Sequence, residues 1–234
     1  MRRTTGALLG LALSVCPALL LGQQAFEGVL TYRMTAEGTS LSMTQSIKGP
    51  RVRIDMEVPG MPGPMYMLMD TEKMVMQTVM ASMGMYMEVD MNQAMQMVPE
   101  EQRRAAESAQ LEALGTSDEI AGISCRNYRF TTGDEQAEGC IATGLGHFMG
   151  MGRGGGQSNP LAGLGPDLSA FAKEFEDGMV PLRLRVLRNG TWETVMEATA
   201  VERKRLEDSV FQLPAGLRKM NMPGGDGERK AVSS

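Results

Sequence analysis

The chain has 234 residues and a mass of 25.3 kDa, room for one sizeable core and at most two small domains. Its 42% hydrophobic and 22% charged residues exclude a disordered tail, and a formal charge of −5 with a pI near 5.1 argues against a nucleic-acid binder. Aromatics make up only 5%, whereas methionine is abundant: 23 Met stand against 6 Phe and 4 Tyr.

Arg2 and Arg3 precede an apolar run over 6–21, which ends at Gln23-Gln24. A basic start followed by a short apolar stretch reads as a Sec-type secretory signal over 1–22, cut after Gly22, rather than a membrane anchor. Leu20 is a poor residue three places before that cut. Lipidation at Cys16 is disfavoured by bulky Val15 and by Pro17. Losing the signal removes two basic residues and no acidic ones, so no basic patch remains for nucleic acid or an anionic lipid surface. The mature protein is expected in the periplasm or secreted, with no transmembrane segment.

The chain beyond the signal alternates with period 2, the mark of half-buried strands. Leu30, Tyr32 and Met34 share one face. Val52, Ile54, Met56 and Val58 share another, opposite Arg51, Arg53, Asp55 and Glu57. After a turn at 60–64, the stretches 65–70, 74–80 and 83–90 read as an antiparallel meander. Pro99 with Glu100 and Glu101 suits a helix start, and the Ala/Glu/Gln-rich stretch to 114 reads as one helix capped by Gly115.

Cleavage would leave two cysteines, Cys125 and Cys140. Both sit in strand-like segments that fold back about Gly133, so an exported chain should pair them in a disulfide. A Gly-rich stretch over 144–166 reads as an irregular loop, dispensable for folding. A short helix over 167–175 would place Leu168, Phe171 and Phe175 on one face. Asn189-Gly190 marks a hairpin between 180–187 and 191–201. From Gly224 the tail is polar and expected to be frayed.

Catalytic motifs are thin. The lone histidine, His147, lies in the Gly/Met-rich loop, and no nucleophile elbow or HExxH motif exists. Gly150-Met151-Gly152-Arg153-Gly154-Gly155 matches a dinucleotide fingerprint in letters only, since no strand precedes it and no apolar helix follows. The chain reads as non-enzymatic.

Fourteen of the 23 methionines fall between Met56 and Met97. Spacing of i, i+2 puts strand residues on one face, so Met67, Met69, Met76, Met85 and Met87 are the candidate ligand-binding residues. Three readings stay open. The rows can be ordinary core, since Met fills irregular gaps. They can line an apolar concavity under the 99–114 helix, for a small molecule, lipid or lipoprotein. Or their thioethers can hold Cu(I), with His147, Met149 and Met151 as the alternative metal ligands. The first two need no cofactor; the third makes copper one.

Several segments resemble a family of secreted bacterial proteins known as a domain of unknown function, of the DUF 4412 type. They are Phe26-Glu27-Gly28-Val29-Leu30, Lys48-Gly49-Pro50-Arg51-Val52-Arg53-Ile54-Asp55-Met56, Met85-Tyr86-Met87-Glu88-Val89, Ile120-Ala121-Gly122-Ile123-Ser124-Cys125-Arg126-Asn127-Tyr128 and Asp208-Ser209-Val210-Phe211-Gln212-Leu213-Pro214-Ala215-Gly216. The last segment is also distantly similar to the periplasmic lipoprotein carriers of the LolA/LolB kind. That resemblance implies a mainly β (α+β) fold, a curved antiparallel sheet or incomplete β-barrel of about ten strands with one or two covering helices. It spans a single domain over 23–223 and carries no catalytic residues over; the polar tail over 224–234 is expected to be disordered.

Overall fold

The computed structural model describes residues 25–36, 38–57, 63–146, 171, 174–175 and 178–220. The signal segment with Cys16, Val58, most of the Gly-rich loop with His147, Met149 and Met151, and the 224–234 tail lie outside the described residues.

The described chain is mainly β. Its strands are β1 (Glu27–Ala36), β2 (Thr39–Lys48), β3 (Arg51–Met56), β4 (Met65–Asp70), β5 (Val75–Met80), β6 (Met85–Asp90), β7 (Gln110–Ile120), β8 (Ile123–Thr132), β9 (Glu135–Ala142), β10 (Val180–Arg188), β11 (Thr191–Arg203) and β12 (Arg218–Met220). They form one sheet of twelve strands in the order β12-β6-β5-β4-β3-β2-β1-β11-β10-β9-β8-β7. Every ladder is antiparallel except β12 on β6. The sheet is curved and unclosed. Methionines of β4 and aromatic and aliphatic residues of β8 to β10 belong to one continuous core that runs along one face of the sheet. We call that the inner face.

The period-2 reading holds in detail. Leu30, Tyr32 and Met34 are buried, as are Val52, Ile54 and Met56, while Arg51, Arg53 and Asp55 are half-buried on the opposite side. The meander of β4, β5 and β6 forms as expected. Asn189 and Gly190 both take positive φ, the conformation a two-residue hairpin turn requires, between β10 and β11.

The long helix over 99–114 does not form. Two short ones stand between β6 and β7: α1 (Met91–Gln96) and α2 (Glu100–Glu107). Asp90 caps α1 by accepting from the backbone N–H of Asn92 at 2.9 Å and of Gln93 at 3.1 Å. Glu100 pairs with Arg103 and Arg104 one turn on, but α2 ends at Glu107. From Gln110 the chain pairs with β8 instead, because a ladder beside the cysteine hairpin adds cooperative backbone hydrogen bonds that a short isolated helix could not sustain. Gly115, expected as a helix cap, takes positive φ within the irregularity that splits β7 between Ala113 and Ser117. The described side chains of α2 are exposed, and none of them covers the methionines.

Cys125 and Cys140 are disulfide-bonded with their Cα atoms 5.3 Å apart. Cys140 lies directly opposite Asn127, so the bond runs diagonally from β8 to β9. The crossover from β9 to β10 returns to the inner face: Leu145, Phe171, Phe175 and Met179 are buried in the core. Phe171 packs on Phe130 and Phe175 edge-on against Tyr128, with centroids 5.0 and 5.2 Å apart.

Candidate functional site: the methionine face

Cross-strand register aligns the methionines. Met43 pairs with Met56, Met56 with Met65, Met65 with Met80, and Met80 with Met85, one thioether from each of five successive strands. A second line runs Leu30, Gln45, Ile54, Met67, Thr78, Met87 and Met220, and a third runs Ile47, Val52, Met69, Met76 and Val89. Met67, Met69, Met76, Met85 and Met87 therefore do share the inner face. Their exposure is graded. Met43 is fully buried, Met56, Met65, Met67 and Met69 are buried, and Met76, Met80, Met85 and Met87 are half-buried. Met83, Met95, Met97 and Met220 are exposed. Each fully buried thioether side chain is worth about 1.5–3 kcal/mol in removal from water, so the β2–β4 end is structural core. The β5–β6 end is where this surface meets solvent.

The buried polar residues Gln45 and Thr78 interrupt the apolar pattern of this face. Gln45 is 0% exposed, and neither its amide nitrogen nor its amide oxygen has a hydrogen-bond partner. An unsatisfied buried polar group costs about 1–3 kcal/mol, so Gln45 carries a cost that Leu or Met there would not. Sequence reasoning passed over it, although the alternation Met43, Gln45, Ile47 places it on the inward parity. No charged residue stands at the described inner positions of β2 to β6.

The outer face is polar and clasped. Over β2 and β3, Asp208 accepts from Lys48 at 2.9 Å and from Arg51 at 2.8 Å, and Lys48 also donates to the Leu206 carbonyl at 2.6 Å. Hydrogen bonds from Lys48 and Arg51 hold the Asp208 carboxyl down at about 2. Glu27 accepts from the Leu206 N–H at 2.6 Å, which lowers its own pKa. Arg53 stacks over Tyr66 at 3.9 Å, and Leu213 and Leu217 pack against a small outer cluster of Tyr66, Leu68 and Val79. β4 is thus buried on both sides.

Two surface cavities lie away from the methionines. One of about 240 Å³ sits outside the disulfide, among Asp118, Asn127, Glu138, Arg183 and Arg185. Asp118 accepts from Arg183, and from Asn127 at 3.2 Å, which pulls its pKa down. The other, about 580 Å³, is an open hollow beside Glu27, Lys48 and the basic run Arg203-Lys204-Arg205. The shifted carboxyls, Glu27, Asp70, Glu88, Asp118 and Asp208, all move down. Ion pairs and hydrogen bonds produce that direction, and a general acid near neutral pH needs the reverse. Among the described residues no group of three His, Cys, Asp or Glu is placed to hold a metal. Nor is any helix among them long and apolar enough to cross a membrane.

The family described as "Domain of unknown function (DUF4412)" matches residues 26–217. The chain belongs to this family. Asp208 pairs with Lys48 and Arg51, and Leu206 just before it bonds to Glu27 and Lys48, so three of the five stretches that carry the resemblance meet at the outer clasp. No curated protein matches the chain. Solved structures resemble it at low identity. An uncharacterized conserved protein from Thermus thermophilus is 10% identical, with a TM-score of 0.49, 85% of this chain and 91% of that one covered. The MucA/MucB complex of Pseudomonas aeruginosa is 12% identical at a TM-score of 0.46, with 86% and 60% covered. PNGF-II is 12% identical at 0.44, and the chain, matched over 83% of its length, spans only 30% of that protein.

Proposed function

We propose that this chain is an exported, non-enzymatic binding domain of the cell envelope that holds an apolar ligand, a lipid or the acyl chain of a lipidated partner, against its methionine face. The observation that carries the reading is the in-register line Met43, Met56, Met65, Met80 and Met85, which grades from buried to solvent-accessible across five strands. An ordinary core ends at its edge with polar residues; here the adaptable thioethers continue to the surface, where they can repack around a guest. Export is supported by the signal-like start and by the disulfide, which persists in oxidising compartments. The test is native mass spectrometry of protein purified from the periplasm of its own host. A co-purifying lipid mass is expected. A stoichiometric copper ion would replace the reading with Cu(I) binding by thioethers, and a bare protein mass would overturn both.

A further inference from the structure

Gln45 is a primary amide sealed in the inner face with both polar atoms unpaired. Its neighbours in register are Leu30 on β1 and Ile54 on β3, and Met43 and Ile47 flank it on its own inward row. None of these can answer an amide. The other buried polar groups on this face are the Tyr32 hydroxyl, one diagonal step away on β1, and Thr78, three strands away beyond Ile54 and Met67, and neither bonds to the Gln45 amide. A methionine would fill nearly the same space without an unmet donor and acceptor, and this protein uses methionine at nearby Met43 and Met56 on the same face. From this we infer that Gln45 is the polar anchor of the ligand site and that the ligand is a neutral amphiphile. Its uncharged hydrogen-bonding group, an ester, amide or hydroxyl, meets the Gln45 amide, and its chain runs along the methionine rows toward β5 and β6.

The inference rests on the methionine face being a ligand surface and adds the chemistry of what it selects. Charge is excluded by the surroundings. The described inner positions of β2 to β6 offer no Lys, Arg, Asp or Glu to compensate a carboxylate or an ammonium, and an unpaired buried charge is far costlier than an unpaired amide. The amide is complementary to a neutral group, since it gives one donor and one acceptor side to an ester or hydroxyl. Room for it comes from Met43 and Met56, whose unbranched side chains change rotamer readily.

The full chain is tested against three probes of equal chain length: a monoacylglycerol, the fatty acid at a pH where it is ionised, and the n-alkane. Affinities are read by displacement of a lipophilic fluorophore. Wild type is expected to bind the monoacylglycerol about tenfold more tightly than the alkane, the worth of one hydrogen bond, and the ionised fatty acid most weakly. Gln45→Met should bring the monoacylglycerol down to the alkane while leaving the alkane unchanged, and should raise the melting midpoint of the empty protein. If Q45M does not fold, Gln45→Leu serves the same comparison. Equal affinities in wild type, a preference for the ionised acid, or discrimination that survives in the variant would each overturn the anchor while leaving the binding reading intact. Failure of wild type to bind any of the three probes would bring down both.

Discussion

Arg51 donates to the Asp208 carboxylate at 2.8 Å across 157 residues of sequence. With Lys48 on the same oxygen, this contact ties the chain's last described segment to the hairpin between β2 and β3. The clasp should therefore be acid-sensitive. Asp208 titrates at about 2 in the folded protein against 3.8 for the free group. Between those values the unfolded chain binds the extra proton, so the contribution is complete above about pH 4 and is lost as pH falls through about 2. Urea unfolding midpoints should fall across that window in wild type. In Asp208→Asn they should start lower and change less.

The diagonal disulfide closes a loop of 15 residues between β8 and β9. Its removal in a Cys125→Ala, Cys140→Ala double variant should cost about 3 kcal/mol by the chain-entropy argument. Reduction of wild type should reproduce the loss in urea unfolding, and reductant should leave the double variant unaffected.

Gly144 and Gly178 both hold positive φ, yet they differ in what surrounds them. A Cβ at Gly144 would meet open space, whereas one at Gly178 would lie 2.2 Å from the Gly146 carbonyl oxygen. Gly144→Ala should cost about 1 kcal/mol, from the backbone conformation alone. Gly178→Ala should cost about 1–3 kcal/mol more, because backbone must move where the two ends of the crossover touch. Thermal unfolding of the two variants, compared directly, isolates the close approach.

The combined change of Met67, Met76 and Met85 to Leu preserves volume and apolarity and removes three sulfurs. The variant should stay folded, each change costing less than about 1.5 kcal/mol, and should keep a native lipid in mass spectra. Loss of a bound copper ion in this variant, with the fold retained, would instead support the metal reading.

Much of the sheet could be read in advance because its information is local. Alternation in Val52, Ile54 and Met56, the turn at Asn189-Gly190 and the spacing of Cys125 and Cys140 each report on neighbours in sequence. The stretch after Glu107 misled because its helix-favouring composition is overridden by a ladder with β8, a tertiary choice. The methionine rows were legible as rows, since i, i+2 spacing fixes the face. Their alignment into one line was not, because register across Met43, Met56, Met65, Met80 and Met85 is set between strands. Gln45 escaped for a different reason. Its meaning lies in the partners it lacks, and a sequence does not show which side chains surround a position.

Among the described residues, the sheet's two free edges, β12 and β7, form no ladder with each other, but the chain runs from β6 to β7 through α1 and α2. A barrel closed by backbone ladders has a girth fixed by strand number and stagger. Here a covalent connection through two short helices stands in place of a closing ladder, so no register between the two edge strands fixes the girth. On the proposed binding reading, the separation of the two edges is limited by the length of that connection and not by a ladder between them.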